Sequence, residues 1–276
     1  MARVAANQDR AEVLRSHYVY SQHIHVVSGN SHGKLLREET ADYTVAPTSR
    51  SSSSTLKKLT GRYLKHGKYL FYDKEPVPES GSIDAELVRS FRDDLTGKAA
   101  ERDDIDNSGH LGVTINLDSE GASKDGIDKD LFPLTSAQQK QYAFRLAGRQ
   151  VLNKRSVYHI DFRPKDQTDI DWAGEAFIDE QDFQPVFVET KLSKKLPLLV
   201  RTMLGTDVPG IGFSVTYARQ QDGVWFPSSF GTEFYVRALY FFKRNIAVSL
   251  KNSDFEVTHV DAKVTGYSEV KPGDPH

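Results

Sequence analysis

From Tyr142 onward the chain alternates. "YAFRLAG" sets Tyr142, Phe144 and Leu146 against Ala143 and Arg145. "SVYHIDFRP" sets Tyr158, Ile160 and Phe162 against His159, Asp161 and Arg163. "PVFVETKL" sets Val186, Val188, Thr190 and Leu192 against Phe187, Glu189 and Lys191. A two-residue period turns successive side chains to opposite faces of a strand, so each run predicts one dry face and one wet face. "IGFSVTY", "VWFPSSF", "VRALYFF" and "IAVSL" continue the rhythm, with "DEQD" and "QQDG" between runs as turns. Short turns between consecutive strands predict antiparallel pairing.

The first half of the chain is less regular. "NQDRAEVL" predicts a short helix capped by Asn7 or Asp9, with Val13 and Leu14 on one side. "YVYSQHIHVVS" reads as a strand, "NSHGK" as a turn and "LLREETADYTVAP" as the return strand. "SRSSSSTLKKL" reads as a polar loop, followed by short strand candidates up to "HGKYLFYD". Residues 83–102 predict a helix: Ser82 caps it, and Leu87, Phe91 and Leu95 recur at four-residue spacing. Residues 103–129 are Asp- and Gly-rich, with one strand candidate at "GVTINL", and predict a mobile surface excursion.

The expected fold is therefore mainly β, of the α+β class. It is a strongly curved, unclosed, up-and-down antiparallel sheet with helices covering the concave face. One domain is expected over 1–262, with an insert near 103–130 and a polar C-terminal tail over 263–276.

Composition narrows the function. Lys plus Arg (36) nearly balance Asp plus Glu (38), where a nucleic-acid-binding chain carries a basic excess. No nucleic-acid partner is expected. The chain has no cysteine, which excludes disulfides, zinc–thiolate sites, iron–sulfur clusters and thiol nucleophiles. No run of about 18 apolar residues predicts a transmembrane helix. The start, "MARVAANQDRAEVLRSHYVY", has a basic residue but no apolar segment, so it does not read as an intact signal peptide.

Four stretches suggest chemistry. "GNSHG", from Gly29 to Gly33, matches the pattern of a serine nucleophile elbow, which needs a strand turning sharply into a helix. Here it lies between two strand candidates, so a hairpin turn is the better reading. "DIDNSG" places Asp104, Asp106, Ser108 and Gly109 like the start of a calcium loop, but Ile115 stands where the closing glutamate belongs. His23 and His25 share a strand face, and no third ligand is placed with them, so a polar outer face is favoured. Glu175, Asp179, Glu180, Asp182 and Glu189 crowd into "GEAFIDEQDFQPVFVE". By the alternation Glu175 and Glu189 point away from the dry face. The other three sit at a turn, where carboxylates cap the backbone and stay hydrated. No catalytic or metal-ligating residue is expected.

The dry face carries more information than the acids. Phe144, Leu146, Tyr158, Ile160, Phe162, Val186, Val188, Phe213, Val215 and Trp225 fall on it. Either they pack as a filled core, or a curved sheet with a helical lid encloses an apolar cavity.

The segment 142–255 resembles the outer-membrane lipoprotein-sorting (LolA/LolB-like) family. The residues that carry the resemblance are Phe162 and Pro164, Gly174 with Ile178 and Asp179, Pro185 with Val186, and the step Trp225, Phe226, Pro227. It implies a half-barrel with helices as a lid. It implies a hydrophobic cavity for acyl chains of lipids or lipoproteins, lined by the ten dry-face residues above. Leu87, Phe91 and Leu95 would form the lid, the setting would be the periplasm or cell envelope, and no cofactor would be needed. The alternatives are a sensor or scaffold binding an envelope protein through the sheet edge or loops, and a hydrolase or metal enzyme using the Asp-rich loop or His23 and His25.

Overall fold

The structure, a computed structural model of the 276-residue chain, describes residues 1–47, 52–65, 67–74, 132–166, 172–192, 206–207, 212–238 and 242–258. The expected helix over 83–102, the insert and the C-terminal tail lie outside these residues. So do Asp104, Asp106, Ser108 and Gly109 of the calcium-loop motif.

Among the described residues one α-helix, α1 (Ala2–Arg15), precedes twelve strands. These are β1 (Tyr18–Asn30), β2 (Leu35–Pro47), β3 (Ser52–Lys65), β4 (Lys68–Lys74), β5 (Tyr142–Leu152) and β6 (Arg155–Pro164). Then come β7 (Trp172–Asp179), β8 (Pro185–Leu192), β9 (Thr206–Asp207), β10 (Gly212–Arg219), β11 (Trp225–Ala238) and β12 (Phe242–Val257). A short 3-10 turn, Gln138–Gln141, leads into β5.

All of these strands join one antiparallel sheet in the order β4-β3-β2-β1-β12-β11-β10-β8-β7-β6-β5, with the short β9 paired to β11. The sheet is unclosed. It departs from a simple up-and-down order. Two meanders run to opposite edges, and the last strand returns to pair with the first in the middle. The β1–β12 pairing runs from Tyr18↔Val257 to Asn30↔Arg244, so the join is as long as any hairpin in the sheet.

The alternation survives every junction. Leu146, Ile160, Ala176, Val188, Val215, Phe230, Leu250, Ile24, Ala41 and Leu59 are successive cross-strand partners from β5 to β3. One residue along, Arg145, Asp161, Glu175, Glu189, Ser214, Gly231, Ser249, His25, Thr40 and Thr60 form the parallel row. The first row is the inner face and the second the outer. A one-residue slip anywhere would exchange them, so burial of the inner row fixes the register throughout. Most of the inner row belongs to one core cluster with Phe162, Ile178, Val186, Tyr217 and Trp225.

Two local readings change. The helix starts at Ala2, not at Asn7 or Asp9, and buries Val4, Ala5, Gln8, Ala11 and Arg15 while Val13 and Leu14 are exposed. The spacing 4, 8, 11, 15 is helical, but two of those positions are polar and hide the stripe in the sequence. The described part of the Ser-rich segment is also not a loop. From Ser52 it is the start of a fourteen-residue strand paired to β2. Pairing supplies what serine's low strand preference does not.

Candidate functional site

α1 packs on the inner face at the β5–β8 end. Most of its anchors are polar. Asn7 Nδ2 donates to the carbonyls of Asp182 (2.8 Å) and Phe183 (3.3 Å), and the Gln8 side chain bonds that of Gln184. The backbone N–H of Ser136 donates to Asp9 Oδ1 at 3.1 Å. Buried Arg15 donates to the Trp225 carbonyl at 3.2 Å. The Arg3 guanidinium lies 4.9 Å from the Phe183 ring centroid.

Between the start of α1 and the sheet lies an apolar recess of about 350 Å³. Met1, just before α1, and Val4 within it line the recess on one side; Phe144, Leu146, Tyr158, Ile160 and Ile178 line it from β5, β6 and β7, and Phe183 from the turn after β7. The volume lies at the lower end of the range for small-molecule sites. Leu146, at its rim on the edge strand β5, is 58% exposed.

The ten expected cavity residues divide into two groups. Phe144, Leu146, Tyr158 and Ile160 line the recess. Phe162, Val186, Val188, Val215 and Trp225 are buried in the core cluster, and Phe213 packs against that cluster and meets Trp172 and Phe230 ring to ring. Leu87, Phe91 and Leu95 lie outside the described residues. The sequence reading missed Met1, Val4, Ile178 and Phe183. Ile178 shares the parity of Ala176, so alternation alone identifies it. Phe183 stands in an acidic turn with a positive φ of 50°, and there alternation gives no guidance.

That turn is built by Asp179, which the sequence placed in water. It is 3% exposed. Its Oδ1 accepts the backbone N–H groups of Gln181 (2.9 Å) and Asp182 (2.8 Å), and Oδ2 accepts Arg155 Nη1 at 3.1 Å. The Arg155 guanidinium in turn lies 5.0 Å from the Trp225 ring centroid. One carboxylate thus shapes the loop that carries Phe183 and receives Asn7.

Burial pushes the Asp179 carboxyl upward, but the N–H groups of Asp182 and Gln181 and the Arg155 cation outweigh it and leave the pKa lowered. A depressed folded-state pKa adds stability above the unfolded value of about 3.9, and this is lost as pH falls through the folded value. Asp179→Asn keeps an oxygen for the two N–H groups and loses the ion pair with half-exposed Arg155. The expected cost is about 1 kcal/mol at pH 7, discounted for solvent screening. The gap between wild type and variant in urea melts should shrink below about pH 4. A gap that stays constant down to pH 2 would refute this role.

The other chemistry-bearing motifs fall elsewhere. "GNSHG" is the β1–β2 hairpin turn: Asn30 Oδ1 accepts the N–H groups of His32 and Lys34, and Gly33 takes φ 77°. His23 and His25 lie on the outer face, 2.6 Å from Asp42 Oδ1 and 3.0 Å from Glu38 Oε1. Glu38 also binds Arg62, and together these hydrogen bonds hold its pKa below the usual value. On the inner face of β2–β4, buried Glu39 accepts the Tyr72 hydroxyl at 2.6 Å. Burial and then the Glu39 charge push Tyr72 up and Tyr43 up to about 12.

No helix among the described residues is long and apolar enough to cross a membrane. No family model matches the sequence, and no curated protein matches it at significance. Several solved structures resemble the chain along nearly its whole length. A DUF1329 family protein from Desulfovibrio piger has 10% identity and a TM-score of 0.39, over 95% of this chain and 92% of that one. A domain assigned to outer membrane lipoprotein sorting, from Vibrio parahaemolyticus, has 12% identity and a TM-score of 0.37, over 96% and 94%. A LolA superfamily protein from Nitrosomonas europaea has 9% identity and a TM-score of 0.33, over 95% and 96%.

Proposed function

We propose that the chain is a non-enzymatic, cell-envelope lipid-binding protein that takes acyl chains of lipids or lipoproteins into the recess beneath α1. The observation that carries this reading is the recess itself: eight apolar or aromatic side chains converge on it, and its rim is open at Leu146. Each methylene buried there contributes about 0.8 kcal/mol, so affinity needs no nucleophile or cofactor. In this reading the sheet is a curved half-barrel over 1–262, the segment 83–102 is the lid through Leu87, Phe91 and Leu95, and 263–276 is a tail. The dry-face residues Phe162, Val186, Val188, Phe213, Val215 and Trp225 then form the floor that supports the recess.

A fluorescent fatty acid titrated into the purified chain tests the reading. Saturable uptake is expected, with co-purifying lipid in native mass spectrometry. Leu146→Glu puts a charge at the exposed rim of the recess, and Phe144→Glu puts one on its wall beside the Tyr142 and Phe162 rings; both should weaken uptake at least about tenfold. Unchanged uptake in both folded variants would sink the assignment.

One observation favours a second reading. The edge strand β4 exposes Leu70 (42%) and Phe71 (76%), and an edge of this kind can add a strand from a protein partner. A chain that takes up no lipid, and whose capture of an envelope protein is lost in Phe71→Lys, supports that reading instead.

A further inference from the structure

The outer face at β6–β7 carries a group that the lipid reading does not use. Asp161, Glu175 and Glu189 are direct cross-strand partners on three successive strands. Like charges opposite one another destabilise a sheet, so this row calls for compensation. Two cationic or cation-capable groups stand beside it. Arg145, the partner of Asp161 on β5, donates to Asp161 Oδ2 from Nε at 2.9 Å and also from Nη2. His159 Nε2 lies 3.0 Å from Glu175 Oε2 and 3.6 Å from Asp161 Oδ1.

The arrangement leaves distinct atoms for distinct roles. Arg145 occupies Oδ2 of Asp161 and turns Oδ1 toward the imidazole. The His159 ring stacks on Phe177, with centroids 4.7 Å apart and planes 17° apart. That contact orients Nε2 over the carboxylates. His159 Nε2, Asp161 and Glu175 present ligand atoms all within 4.8 Å of one another. A tetrahedral ion with bonds of about 2.0–2.2 Å separates its ligand atoms by roughly 3.3–3.6 Å, close to the spacings of the imidazole to the two carboxylates. All three residues sit on paired strands, so little backbone freedom is lost on binding.

We propose that His159, Asp161 and Glu175 form an open, three-ligand site for a borderline divalent transition ion of the Zn²⁺ class. One imidazole nitrogen with two carboxylates suits such an ion better than Ca²⁺ or Mg²⁺, which favour all-oxygen shells. Water completes the coordination on the solvent side. Arg145 acts as a positioning residue through Asp161. The site faces away from the recess and stands independently of the lipid reading.

The test uses the full chain, stripped with a chelator and titrated with Zn²⁺ by calorimetry, with Ca²⁺ and Mg²⁺ as comparisons. Saturable one-to-one Zn²⁺ binding is expected, with a Zn²⁺-dependent rise in melting temperature that Ca²⁺ and Mg²⁺ do not give. Loss of an outer-shell partner weakens metal sites by about 10–100-fold, so loss of a ligand should cost at least tenfold. His159→Ala and Glu175→Gln are both expected to show this. Neither residue is buried, and circular dichroism checks that the sheet persists. His23→Ala/His25→Ala, which removes two other outer-face imidazoles, should leave binding unchanged. Absence of saturable binding, binding that survives His159→Ala and Glu175→Gln, or binding lost in the His23/His25 variant overturns the proposal.

Discussion

Gly174→Ala is expected to destabilise the protein by at least about 3 kcal/mol, a shift read directly as a lower urea midpoint. A Cβ on Gly174 would stand 1.9 Å from the backbone oxygen of Glu189 and 2.9 Å from Thr190 Cα. These are backbone atoms of the neighbouring strand β8, so no side-chain rotation relieves the clash. The other neighbour of β8 also leaves no room: a Cβ on Gly212 would stand 2.6 Å from the Thr190 oxygen. β8 is thus held between two glycines at the level of Thr190, which is 1% exposed. Ordinary glycine-to-alanine changes in strands relieve an entropic cost and are mildly stabilising. Gly148→Ala provides that control, because a Cβ there meets nothing within 4 Å. Equal effects at the two sites would show that strand spacing does not select glycine at position 174.

The same geometry accounts for three residues that stand out in the sequence. Gly174, Asp179 and Pro185 look like motif residues because each shapes the backbone. Gly174 permits close strand approach, Asp179 builds a turn on its carboxylate, and Pro185 opens β8. None of them needs a ligand. The alternation of β5–β8 was legible because one face is buried and the other wet, which forces polarity to follow geometry. The β1–β12 join was not legible, since pairing of residues more than 200 positions apart leaves no local periodic signal. α1 was misread for a related reason. Its buried stripe includes Gln8 and Arg15, which are satisfied by Gln184 and by the Trp225 carbonyl, partners that only the fold supplies.

The site was legible in part. Alternation found the four recess residues contributed by β5 and β6 but could not separate them from six neighbours that fill the core or pack against it. Both groups share a face, and depth along that face depends on where α1 lies. The outward direction of Glu175 was also readable. Its meeting with His159 and Asp161 depends on the β6–β7 register, which the sequence does not show.

Val188→Asp should cost more than any recess substitution, about 4 kcal/mol or more, and is expected to abolish cooperative unfolding. Val188 is 0% exposed, and its cross-strand neighbours on the inner face are Ala176 (0%) and Val215 (2%). A carboxylate there loses its hydration and meets no donor in that row. Typical domains are stable by only about 5–15 kcal/mol, so one such charge removes a large fraction of the total. Leu146→Glu belongs to the same row yet should change stability by no more than about 0.5 kcal/mol, because its side chain already reaches solvent at the sheet edge. The pair separates two causes of failed lipid uptake. Loss in Val188→Asp would report collapse of the sheet, while loss in Leu146→Glu at an unchanged urea midpoint would report the recess. A Val188→Asp protein that melts like wild type would mean that the inner row is not packed at this position, and the recess would then have to extend across β8.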